Sequence, residues 1–177
     1  MSLQPDSEFD WPNAPQKLGG TLNLRTSQKG RYGHYTAHLL DPSIEIAYIA
    51  VCNPRTRLLI LYIFKRSAYP WVGNWEESYS RVHSPWNGRE FCRGFEFSTT
   101  PFPLPRREIV ANGKLFGEST YRWLPAKSQV KTLYMIVMLE IPENFEGVGA
   151  VEIKHGSLLI ADRSKQTILQ RQLKQFF

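Results

Sequence analysis

Between Tyr69 and Phe97 the chain interleaves indoles with carboxylates and guanidiniums. The run Tyr69-Pro70-Trp71-Val72-Gly73-Asn74-Trp75-Glu76-Glu77 is followed by Pro85-Trp86-Asn87-Gly88-Arg89 and then Arg93-Gly94-Phe95-Glu96-Phe97. A sugar ring offers a C–H face that stacks on an aromatic ring, and hydroxyls that need acceptors and donors at its edge. Trp71, Trp75 and Trp86 are therefore candidates for a stacking platform. One of Glu76 and Glu77 would accept hydroxyls, with Asn87, Arg93 and Glu96 completing a substrate-binding set. A plainer alternative carries even weight: the three indoles cover the end of a β-core, and the glutamates pair with Arg81, Arg89 or Arg93. Neighbouring residues on a strand point to opposite faces. Only one of Glu76 and Glu77 can then enter a common site.

Other chemistry is sparse. His34 and His38 would share one face of a helix and could ligate a metal there, but the glycine and threonine around them suit a strand or loop, so no metal is expected. The pair Arg106-Arg107 could clamp a phosphate or a sugar carboxylate, although paired arginines beside a short helix more often form salt bridges. There is no Gly-rich phosphate loop, Ser-His-Asp order or paired-cysteine metal spacing, and no cofactor is expected. Cys52 and Cys92 are too few for a disulfide framework and read as packed thiols.

The elements that must position these residues are mostly strands. Ile44 to Val51 and Leu58 to Lys65 flank the turn chemistry Asn53-Pro54-Arg55-Thr56 and predict a β-hairpin, its first strand apolar enough for burial on both faces. Tyr69 to Arg107 lacks helical periodicity and carries five prolines, so it reads as site-bearing loops. Arg106 to Asn112 before Gly113 predicts one short helix. β-texture then returns in Thr120 to Leu124, Val130 to Ile141 and Val151 to Asp162, with His155-Gly156 as a tight turn. Lys165 to Phe177 suits a last strand or a short amphipathic helix equally. Strands separated by turns rather than helices predict an all-β, antiparallel β-sandwich.

With 177 residues, 42% of them apolar and 13% aromatic, the chain has material for one core. Residues 1–29, rich in proline and glycine pairs, read as an irregular arm on which Trp11 is the anchor, and residues 30–177 as a single β-sandwich domain. No apolar run approaches the ~20 residues of a membrane-spanning helix. The acidic N-terminal decapeptide lacks a secretory h-region, so the expected location is the cytoplasm. A net charge of +6 favours anionic partners without concentrating in any basic run. A nucleic-acid or anionic-polymer binder, its aromatics stacking bases and the interleaved Arg89, Arg93, Arg106 and Arg107 neutralising phosphates, is weighed as an alternative, and the dispersal of the basic residues argues against it.

The order of these motifs, namely a strand hairpin, Tyr-Pro-Trp-Val-Gly-Asn-Trp-Glu-Glu, Pro-Trp-Asn-Gly-Arg, Arg-Gly-Phe-Glu-Phe, Pro-Phe-Pro and an Arg-Arg helix, resembles the C-terminal portion of bacterial proteins in the galactose mutarotase-like superfamily. The resemblance covers roughly residues 31–142. It implies a β-sandwich that binds a sugar or sugar-derived molecule and, in the fully enzymatic members, an aldose 1-epimerase that opens and recloses the hemiacetal with a glutamate base and a histidine acid. Glu76 or Glu77 is most similar to the base, with Glu96 a second candidate. His38 or His83 would supply the acid, although neither stands in the epimerase histidine motif. The chain is shorter than a complete family domain. A truncated sandwich would expose strand edges, which makes a homodimer an expectation.

Overall fold

The computed structural model describes residues 2–164 and 168–173. It is all-β, with antiparallel sheets and one short helix. The chain divides into two compact units, residues 1–40 with 69–123 and residues 41–68 with 124–177. Where the sequence reading drew one domain from residue 30 onward, the hairpin 41–68 leaves the first unit and joins the C-terminal strands. No helix among the described residues is long and apolar enough to cross a membrane.

The second unit is a β-sandwich. Strands β4 (Ile46–Asn53) and β5 (Leu58–Lys65) form the expected hairpin, and β10 (Tyr134–Glu140) adds to the other side of β5. The opposing sheet is β11 (Val148–Lys154), β12 (Ser157–Asp162) and β13 (Ile168–Gln172). Period-2 alternation sends Leu59, Leu61 and Ile63 of β5 and Leu139 of β10 into one core with Leu158 and Ile160 of β12. β4 is an edge strand, and over Ile46–Ala50 neither of its faces is exposed: Ala47 and Ile49 are buried, and Ile46, Tyr48 and Ala50 pack partly buried against the core, while Val51 and Asn53 at its end are exposed. His155 and Gly156 both have positive φ and connect β11 to β12 in two residues, as a type I′ turn does. The ambiguous C-terminal segment forms a strand over Ile168–Gln172, and residues 165–167 and 174–177 lie outside the described residues.

The first unit is built on a sheet ordered β3 (Tyr32–Leu39), β6 (Trp71–Ser78), β7 (Phe91–Ser98). The segment expected to be loops thus contains two eight-residue strands. Indole and β-branched side chains favour a pleated surface, and cross-strand contacts accommodate the glycines and polar residues between them. The N-terminal stretch is not irregular throughout. β1 (Asn13–Pro15) pairs with β2 (Thr21–Asn23), and Ala14, Leu22 and Leu24 make a small core with Leu3 and Phe9. Trp11 sets its ring edge-on to His38 at 5.0 Å. Helix α1 (Arg106–Asn112) ends at Gly113, whose φ of +65° suits glycine. The short ribbon β8 (Lys114–Leu115) and β9 (Glu118–Ser119) follows, and Thr120 to Leu124, expected as a strand, is not one.

Candidate functional site

Register divides the sequence-derived candidates between the two faces of the β3-β6-β7 sheet. Paired residues share a face, so Glu76 lies between His34 and Arg93, and Asn74 between Thr36 and Phe95. On the other face Trp75 lies between Tyr35 and Gly94, Gly73 between Ala37 and Glu96, and Glu77 between Gly33 and Cys92. Glu76 and Glu77 therefore separate as alternation requires.

The Glu76 face is a buried polar row. Glu76 is ion-paired with Arg93, accepts a hydrogen bond from Tyr32 Oη at 3.2 Å, and lies 3.9 Å from His34 Nε2. The Tyr32 ring stacks on His34 with centroids 5.3 Å apart. Burial, and after it the Arg93 charge, pushes the His34 pKa below the ordinary imidazole value. His38 hydrogen-bonds Thr36 Oγ1 at 2.9 Å through Nε2 and is enclosed by Phe9 and Trp11, and burial lowers its pKa to about 4. Asn74, fully buried, donates to Thr36 Oγ1 at 3.5 Å. This row answers to the N-terminal segment as well, since Arg93 also donates to the Arg25 carbonyl at 3.5 Å.

The Trp75 face is different in kind. Gly73 and Gly94 leave room for aromatic rings to lie down on the sheet. Tyr35 leans from β3 over Gly73, its Cζ 2.6 Å from where a β-carbon would stand, and Trp75 leans from β6 over Gly94, its Cε3 3.5 Å from the equivalent point. Tyr35 Oη donates to the Pro101 carbonyl at 3.1 Å. Burial, with the nearby Glu96 charge second, pushes the Tyr35 pKa up to about 12, so the hydroxyl stays a donor at neutral pH. Glu96 is exposed beside the two rings.

The β6–β7 connection, residues 79–90, completes this face. The Glu77 carboxylate accepts bonds from Ser80 N at 2.7 Å, Ser80 Oγ at 2.6 Å and Arg81 N at 3.1 Å, and pairs with Arg81 Nε at 3.4 Å. Burial opposes ionisation of Glu77, but these bonds and the Arg81 charge outweigh it and hold its pKa below the usual carboxylate value. Arg81 is thereby fixed between two indoles, 5.2 Å from the Trp75 centroid and 5.3 Å from that of Trp86, which is 39% exposed.

Several expected roles change. Trp71 is fully buried and donates through Nε1 to the Ser119 carbonyl at 2.8 Å, so it is core and not platform. Arg93 and Glu76 neutralise one another on the buried face, away from Trp75. Glu77 holds the loop. Asn87 has φ +52° ahead of Gly88 at +66° and donates to the Pro85 carbonyl, which makes it a turn residue. His83 is exposed in the same loop, and its ring makes no hydrogen bond or ion pair among the described residues. The base and acid expected as Glu76 or Glu77 with His38 or His83 do not come together: His38 is four strand positions from His34, about 13 Å along β3, and the histidine opposite Glu76 is His34. The same spacing prevents His34 and His38 from sharing a metal, and among the described residues no three His, Cys, Asp or Glu side chains cluster as metal ligands. Cys52 is half-buried, whereas Cys92 is exposed and so is not a packed thiol.

Tyr35 carries a part of the site that residue-type reasoning did not single out, and Arg81, expected only as an ion-pair partner of the glutamates, also packs against both indoles. Gly73 and Gly94, expected in loops, lie instead within strands, where a glycine marks a close approach. In comparisons with protein-family models, curated proteins and solved structures, nothing matches this chain.

Proposed function

We propose that the Trp75 face of the β3-β6-β7 sheet binds carbohydrate. The observation that carries this reading is the pair of rings laid over glycines, Tyr35 on Gly73 and Trp75 on Gly94, beside the exposed carboxylate of Glu96. Aromatic faces accept the C–H face of a sugar, and Glu96 accepts hydroxyls at its rim. Arg81, held by Glu77 and both indoles, supplies donors on the loop side, and Trp86 extends the apolar surface. Because sheet and loop hydrogen bonds already fix these groups, little ordering entropy is lost on binding.

The test is intrinsic tryptophan fluorescence of the chain titrated with hexoses, sugar phosphates and uronic acids. Saturable quenching or a shift by one sugar class is expected, lost in Trp75→Ala and in Trp86→Ala. A flat response to the whole panel sinks the reading.

The epimerase alternative rests on one narrower observation, the 3.9 Å approach of His34 to Glu76. It places base and acid on the Glu76 face, beneath the segment that carries Trp11 and Arg25. Mutarotation measured by polarimetry should then disappear in both Glu76→Gln and His34→Gln, and an unchanged rate in either removes it.

A further inference from the structure

Resting on the carbohydrate reading of the Trp75 face, we propose that its ligand is an amino sugar, a hexosamine with a free protonated amine whose ammonium is held by Glu96 beside the Tyr35 and Trp75 rings.

Glu96 is exposed on β7 directly opposite Gly73, and the place where a Gly73 side chain would stand is filled by the Tyr35 ring. The cross-strand neighbour of this carboxylate is therefore a phenol ring and not a cation. The phenol has one proton to donate, and it goes to the Pro101 carbonyl at 3.1 Å, so Tyr35 gives Glu96 no hydrogen bond. Their nearness shows in the Tyr35 pKa, which burial first and the Glu96 charge second raise to about 12. Among the described residues Glu96 makes no hydrogen bond or ion pair.

The remaining charges of β6 and β7 are answered from within the chain. Glu76 takes Arg93 on the opposite face, and Glu77 takes Arg81 together with Ser80. Arg81 is the cation placed on the Trp75 face, but its partner Glu77 lies four strand positions from Gly73, about 13 Å along β6. It does not neutralise Glu96. The aromatic surface thus has a guanidinium at one end and an uncompensated carboxylate at the other, and Arg81 repels a ligand cation from its own end.

A carboxylate without a counter-charge beside two aromatic rings is complementary to a small cation. An ammonium brings three N–H donors to the carboxylate oxygens, and its charge is attracted to the ring faces. A parent hexose offers only hydroxyls at that position, and an N-acetylated sugar offers a neutral amide. Because Glu96 is exposed, water and salt screen the pair, and the two attractions together amount to roughly tenfold in affinity.

Calorimetric titration of the whole chain near neutral pH and at low salt tests this, with glucose and galactose each compared with its 2-amino and its 2-acetamido form. The amino sugar of one series is expected to bind roughly tenfold more tightly than its parent and its acetylated form. Glu96→Gln should remove that preference. In the unaltered chain, adding about 0.5 M salt should shrink it, since screening then acts over only a few ångströms; this readout stands should the variant fail to fold. Amino and parent sugars binding equally well would overturn the inference and leave the carbohydrate reading standing. A preference that survives Glu96→Gln, or that ignores salt, overturns it too, because the ammonium is then held elsewhere. Failure of every sugar to bind removes the carbohydrate reading, and this inference with it.

Discussion

His34 and Glu76 stand directly opposite each other on β3 and β6, and the Glu76 carboxylate is taken on its other side by Arg93. All three side chains are largely withdrawn from water. A buried carboxylate that loses its counter-charge, or a guanidinium that loses its carboxylate, is left with an uncompensated desolvation cost. Glu76→Gln should therefore destabilise the chain by about 3–5 kcal/mol, and Arg93→Met alone by a similar amount. The double variant should be much less unstable than the sum of the two, because no charge is then stranded. Urea denaturation of the four proteins closes the cycle. Additive losses would show that the pair is not coupled.

His38 makes the first unit sensitive to acid. Its folded pKa is about 4 against an unfolded value near 6.5, so below pH 6.5 the unfolded chain binds a proton that the folded chain does not. Stability should be constant above about pH 7 and fall as pH drops from 6.5 toward 4, by at most roughly 2–3 kcal/mol from this residue. His34, lowered by burial and Arg93, adds a loss of the same sign. In His38→Gln, which can still hydrogen-bond Thr36, denaturation midpoints at pH 7 and pH 5 should draw closer together. An undiminished pH slope would assign the acid sensitivity elsewhere.

What the sequence made legible follows from how local each signal is. The β4–β5 hairpin, the His155-Gly156 turn and the helix before Gly113 are written in adjacent residues, and the all-β sandwich follows from their spacing. The row His34–Glu76–Arg93 is a property of register between three strands, separated by 42 and 17 positions in the chain, and no periodicity announces register. β6 was hidden because Gly73, Asn74, Glu76 and Glu77 are poor strand formers in isolation. They are accommodated here by Tyr35 over the glycine, Thr36 on the asparagine, and Arg93 and Ser80 on the glutamates. The N-terminal ribbon escaped notice because its core is only a few apolar residues in a proline-rich stretch.

Trp71 and Trp86 look equivalent as residue types and should behave oppositely as variants. Trp71→Phe vacates volume in a fully buried position and strands the Ser119 carbonyl, a loss of about 2–3 kcal/mol, with the sugar-dependent fluorescence change retained. Trp86→Ala removes a half-open ring whose main contact is Arg81, so the cost should stay below about 1 kcal/mol while the response disappears. Thermal melts and titrations on the two variants separate core from surface. Equal melting temperatures would contradict the burial of Trp71.

Gly149 should be the least replaceable glycine of the second unit. It sits where β11 slips register between Val148 and Ala150, and a β-carbon there would stand 2.7 Å from the Asp162 carbonyl oxygen and 2.9 Å from Arg163 Cα. Those are backbone atoms, held by the Arg163 N–H bond to the Gly147 carbonyl at 2.9 Å, so no flexible side chain can move aside. Gly149→Ala must open the β11–β12 pairing at its bulged end, which should cost about 1–3 kcal/mol, the usual range for overfilling a closed position. Gly117→Ala is the matched control: its φ of +80° strains an alanine, but no atom lies within 4 Å of the new methyl. If the two substitutions lower the denaturation midpoint equally, backbone strain rather than close approach governs glycine usage in this chain.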